Sequence, residues 1–127
     1  MPTIADERPL KDDERRLLEW LLHHGEPEAV AYLPQLSQAS VVARCDCGCP
    51  SVDLAIGDRA APSSAPSDLL ADVVGVSPEG FTVGVILHAR DGLLSELEVY
   101  PIGDPPRAYA LPAISTLKSL PLATPNT

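Results

Sequence analysis

Cys45, Asp46, Cys47, Gly48, Cys49 and Pro50 follow one another, and these are the chain's 3 cysteines. Thiols at alternate positions can ligate a soft metal ion, take part in redox exchange, or fill a buried strand as small apolar side chains. Zinc takes four ligands with sulfur at about 2.3 Å, so two sulfurs on one ion lie only about 3.8 Å apart. On an extended strand, alternate side chains start about 6.5–7 Å apart, and Cys45 and Cys49 about twice that. Three cysteines on a regular strand therefore cannot share one ion. They can do so only if Gly48 and Pro50 fold the chain back, and then His23, His24, His88 or Asp46 must supply a fourth ligand. A disulfide between alternate cysteines would be strained, and the two-residue spacing of thioredoxin-like motifs is missing. The plainest reading is three reduced cysteines on the core side of a bent strand. The alternative is a zinc-binding or thiol-active domain built on Cys45, Cys47 and Cys49.

A second constellation comprises Glu96, Glu98 and Tyr100, with His88 on the preceding strand. Paired carboxylates can work as acid and base, and a neighbouring histidine can shuttle protons, which would make a small hydrolase. Like charges on one strand face more often form a solvated surface. Ile86, Leu94 and Tyr100 interleaved among them suggest a face that meets a protein partner. Phosphate-cradling loops and a nucleophile elbow are missing, since the glycines are scattered and the serines lie in loop-like contexts.

The elements that must position these groups follow from periodicity. Leu17, Leu18, Leu21 and Leu22 recur at helical spacing from Asp12 to His24, with carboxylates at the start and Gly25 just past the end. Pro27 restarts a short helix through about Leu33, and Pro34 stops it. Strands are expected over Ala39–Cys47, Val52–Ile56, Leu70–Val76, Phe81–Ala89 and Leu93–Tyr100. The apolar parity changes between Cys47 and Val52, so Gly48, Cys49 and Pro50 must form a bulge or a turn. For the last hairpin, a three-residue loop of Arg90, Asp91 and Gly92 gathers Val83, Val85, Leu87, Leu97 and Val99 on one face, with Val85 opposite Leu97. A turn of helix is expected near Ala113–Lys118. Residues 58–68 read as a long loop, and residues 1–10 and 121–127 as flexible ends.

With 127 residues, 45% apolar and 21% charged, the chain suits one globular domain. A formal charge of -9 opposes binding to a phosphate backbone, which draws on Lys and Arg, so nucleic acid is not an expected partner. The same field would steer a basic partner inward. No apolar stretch has membrane-spanning length and the N-terminus has no signal-like apolar region, which places the expected protein in the cytoplasm. An odd cysteine count in one run argues against a secreted disulfide framework.

Arg8-Pro9-Leu10 with Glu14, Leu17 and Leu18, then CDCGCPSVDL at 45–54 and DGLLSELEVY at 91–100, resemble a family of small uncharacterised bacterial proteins. The resemblance spans most of residues 8–100 and implies an N-terminal helix, a Cys-Gly-Cys strand and a closing hairpin. It also implies an immunity-type or accessory role beside a bacterial toxin.

The expected architecture is α+β, two N-terminal helices packed on one face of a four- or five-stranded, mainly antiparallel sheet. The expected function is that of a non-enzymatic acidic binding protein without cofactor. It would present Glu96, Glu98, Tyr100 and His88 to a protein partner, with a toxin as the candidate that the resemblance implies.

Overall fold

The computed structural model describes residues 3–64, 68–103 and 108–119. The expectation for 121–127 and residues 65–67 of the 58–68 loop lie outside these residues. The fold is α+β, and its sheet is wider than expected. Seven strands, all antiparallel to their neighbours, take the order β1-β2-β3-β6-β5-β4-β7. They are β1 (Thr3–Pro9), β2 (Ala39–Cys45), β3 (Val52–Ile56), β4 (Leu69–Val76), β5 (Thr82–Arg90), β6 (Leu93–Pro101) and β7 (Lys118–Ser119). Two edge strands account for the difference. Residues 3–9, expected to be flexible, pair with β2, and β7 adds two residues beside β4 after a 3-10 turn at Ile114–Thr116. Strand β1 carries Asp6, Glu7, Arg8 and Pro9, a polar composition that suits an edge and hides the strand from an apolar-period reading.

Helix α1 spans Asp12–His24, as the leucine spacing requires. A 3-10 segment, Pro27–Gln38, replaces the expected short helix and runs through Pro34 instead of stopping there. Proline has no N–H for a helical ladder, and the tighter 3-10 path tolerates it where an α-helix would not. Helix α1 packs on this segment and on β4, while the segment itself covers β3, β4 and β6. Leu17, Leu18, Leu21 and Leu22 join Tyr32, Val41, Leu54, Val73, Val83, Val85, Leu87, Leu97 and Val99 in one buried cluster. The opposite face of β3, β5 and β6 is half-buried.

The β5–β6 hairpin corrects the expected loop. Its turn has two residues, Asp91 and Gly92, both with positive φ (53° and 79°), so Arg90 pairs with Leu93. A bulge at Ser95 then shifts the register and sets Val85 opposite Val99 and Leu87 opposite Leu97. A two-residue turn without that bulge would mix core residues and carboxylates on one face. The bulge also turns Leu94, expected on the outer face, into the core at 2% exposure. Gln35 locks this corner: its side-chain nitrogen donates to the Gly92 carbonyl (2.8 Å), and its oxygen accepts the Leu94 N–H (3.0 Å).

One buried ion pair joins β1 to α1. Arg8 donates through Nη1 and Nη2 to the two oxygens of Glu14 (2.8 and 2.9 Å), and the Lys11 N–H donates to the same carboxylate at the helix start. Burial alone would raise the Glu14 carboxyl. The hydrogen bonds from Arg8 and Lys11 outweigh it and hold the group below its ordinary 4.5. Arg8→Ala leaves a buried carboxylate without its cation and is expected to cost about 3 kcal/mol in urea unfolding. Because the folded value is depressed, the stability from this pair is present above the unfolded value and is lost as pH falls through the folded one. The gap between wild type and Arg8→Ala should therefore narrow as the pH is lowered below 4.5, read by thermal melts.

Candidate metal centre and its cleft

Between β2 and β3 the chain reverses, and residues 46–51 form the loop of an antiparallel hairpin. The choice between bulge and turn at Gly48–Pro50 thus resolves as a turn. Gly48 supplies it with a φ of 91°, a conformation that L side chains avoid. Cys45 is the last residue of β2 and sits opposite Thr3 of β1, and the Cys45 N–H donates to the Ser51 carbonyl across the loop.

The reversal brings the three sulfurs together. Cys45 Sγ and Cys47 Sγ are 2.7 Å apart, Cys47 Sγ and Cys49 Sγ are 2.8 Å apart, and all three lie within 4.8 Å of one another. The reading of three cysteines on the core side of a bent strand is overturned: Cys45 is buried, Cys47 exposed and Cys49 intermediate. Non-bonded heavy atoms settle about 3.5–4.0 Å apart, and a disulfide closes to about 2.05 Å. The spacing lies between that of a disulfide and the about 3.8 Å of two sulfurs on one zinc, so the sulfurs would have to part by about 1 Å to share an ion.

Among the described residues, the group of close ligand atoms consists of these sulfurs without histidine or carboxylate. None of the expected fourth ligands joins it. His24 hydrogen-bonds through Nδ1 to the Trp20 carbonyl (2.8 Å) and stacks on the Trp20 ring, and His88 Nε2 lies 2.8 Å from Glu98 Oε1.

The sulfurs open onto a cleft of about 640 Å³ whose walls include Asp53, Glu96, Glu98, Tyr100 and Tyr109. Glu96, Glu98 and Tyr100, which sequence reasoning separated from the cysteines, thus share one cavity with them. His88 does not line it and meets the cleft only through Glu98. Strand pairing explains the merger: Asp53 of β3 faces Glu96 of β6, and β2 is the other neighbour of β3. The Tyr100 ring lies directly over Gly84, where any Cβ would collide with it. Tyr109 packs edge-to-face on Phe81 (centroids 5.2 Å) and donates to the Val99 carbonyl (3.4 Å). Sequence reasoning missed Tyr109, Asp53 and Ser51. Asp53 was legible from its alternation with Val52 and Leu54; Tyr109 lies in a proline-rich stretch without periodicity.

The electrostatics are those of crowded anions. Burial and mutual repulsion with Glu98 and Asp53 raise the Glu96 carboxyl, although the positive charge of His88 opposes them. Burial and the hydrogen bonds with Cys45 and Cys49 push the Cys47 thiol up to about 12. For Cys49, burial acts upward, but hydrogen bonds from Cys47 and Ser51 prevail and lower the thiol. Burial and then the nearby cysteine charges raise Tyr109.

The fold and the cluster together define an α+β domain with an open three-thiol centre at the mouth of an acidic cleft. Comparison with protein families, curated proteins and solved structures returns no match. In the metal-free protein, iodoacetamide near neutral pH should modify Cys49 ahead of the more exposed Cys47, because the thiolate is the nucleophile. Cys47→Ala removes a hydrogen bond that lowers Cys49, so the pH midpoint of Cys49 alkylation should rise, as read by peptide mass mapping.

Proposed function

We propose that this protein binds one soft metal ion, zinc or copper(I), through Cys45, Cys47 and Cys49. The observation that carries the reading is the convergence of three sulfurs on a reversing loop. Strand geometry forbids that convergence, so the loop must be built for it. Soft thiolate ligands select copper(I) and zinc over the harder ions that carboxylates and carbonyls suit. A cation also relieves what the cleft otherwise stores, since sulfur and carboxylate charges crowd one partly dry cavity.

Zinc would need a fourth donor, from water or from a ligand in the cleft. Copper(I) accepts three thiolates as a complete set. The outer face bearing Glu96, Glu98 and Tyr100 serves in this reading as the approach to the ion. A cytoplasmic location would suit thiols kept reduced.

Protein purified without chelator and titrated with zinc or with copper(I) under reductant should take up one equivalent, read by elemental analysis. Cys47→Ser should weaken uptake by about 100-fold or more while circular dichroism stays unchanged, because Cys47 is exposed. Failure of both ions to bind at micromolar concentration would sink the reading.

A further inference from the structure

We infer that the bound ion is exchangeable cargo, and that it is handed over to a thiol carrying positive charge that enters through the acidic cleft. The inference rests on the three-thiolate reading above and goes beyond it by naming the exchange ligand.

Structural zinc sites are closed, with four protein ligands, whereas catalytic zinc sites keep a position open, so for zinc three protein sulfurs leave room for an exchange ligand. Here the group of ligand atoms stops at three sulfurs among the described residues. Cys47, the central sulfur, is exposed, so an incoming ligand can reach the ion from that side. The main hydrophobic cluster, from Leu17 to Leu117, does not include Cys45 or Cys47; Cys45 is buried at the end of β2, and Cys49 packs against the cluster's edge. A structural ion would have to supply folding energy that this core already provides.

The cleft specifies the charge of what enters. Asp53, Glu96 and Glu98 line it, and among the described residues no Lys or Arg forms part of its walls. Clefts lined by one sign of charge concentrate ligands of the other sign and repel those of the same sign. Tyr100 and Tyr109 add aromatic rings, which attract ammonium and guanidinium groups. The volume, about 640 Å³, admits a small aminothiol or a short basic segment bearing a cysteine.

The exchange step is a ligand substitution without change of oxidation state. The incoming sulfur bonds to the ion as its proton passes to the departing cysteine sulfur, whose bond to the ion breaks. Two further substitutions of the same kind complete the release, so protons and charges balance without oxidant or reductant.

The test uses the full chain loaded with copper(I) or zinc, with release followed by a colorimetric chelator. Cysteamine, 2-mercaptoethanol and 2-mercaptoethanesulfonate, matched in thiolate concentration, present positive, neutral and negative charge. Cysteamine should release the ion about tenfold or more faster than the sulfonate at low salt, with 2-mercaptoethanol between them. The spread should collapse at high salt and in the D53N/E96Q/E98Q variant. A Lys-Cys-Lys peptide that saturates at lower concentration than cysteamine would point to a basic protein segment as the source, and the reverse to a free aminothiol. Equal rates for the three thiols in the loaded wild-type chain, or the opposite order, would overturn the inference while leaving the ion site standing. A chain that takes up no ion overturns the three-thiolate reading, and this one with it.

Discussion

The site depends on the Ser51 hydroxyl. Its oxygen accepts the Val99 N–H at 2.8 Å and donates to the Val99 carbonyl at 2.9 Å, so one side chain makes both bonds that a paired strand residue would make with its backbone. Strands β3 and β6 share only the pairs Val52–Leu97 and Asp53–Glu96, and Ser51 extends that short seam by one position. Its proton goes to the Val99 carbonyl, and its oxygen also accepts from the Cys49 thiol 3.4 Å away. The return of the loop, the seam between the two halves of the sheet and the state of one thiol are thus tied to one side chain. A hydroxyl bonded on both sides is costly to remove when it lies in a partly dry cavity.

Around that anchor the molecule separates two tasks. The core consists of aliphatic side chains and Tyr32 from α1, the 3-10 segment and the inner face of β3–β6, and the buried carboxylate Glu14 pairs with Arg8 at one corner. The opposite face carries the anions. Burial of several like charges is unfavourable in proportion to their mutual repulsion and their lost hydration. Lost hydration and like-charge repulsion raise the Glu96 carboxyl, whereas at the Cys47 thiol lost hydration is joined mainly by the hydrogen bonds with Cys45 and Cys49. An arrangement of this kind gains most from a cation placed among the sulfurs, where the loop geometry brings three donors together.

Much of the fold was legible because it is local. The leucine spacing at 17, 18, 21 and 22 and the carboxylates at 12–14 gave α1 its bounds, and period-2 alternation gave β3, β5 and β6 within a residue or two. The misses have specific causes. Strand β1 is an edge with polar side chains, and edges are held by backbone bonds that leave little trace in an apolar pattern. The hairpin register was misread because an apolar face can be gathered either by a longer loop or by a bulge, and parity alone does not distinguish them. Pro34 was taken as a stop because proline ends α-helices, whereas the segment is a 3-10 path from its start.

Why two constellations, separated by some fifty positions, were read as independent is a matter of topology. A strand's neighbours need not be its sequence neighbours, and β3 pairs with β6 across the whole β4–β5 excursion. Had β3 paired with β4, as a simple meander would have it, the cysteine loop would flank Asp72 and Val74 and the carboxylates of β6 would face elsewhere. The crossover places Asp53 beside Glu96, which sets the loop ahead of Asp53 beside the strand that follows Glu96. From that one adjacency follow the shared cleft, the like charges that crowd it, and the exposure of Cys47 at its mouth. The chemistry of the centre is written in residues 45–49; the decision to surround it with acid is written in the order of the strands.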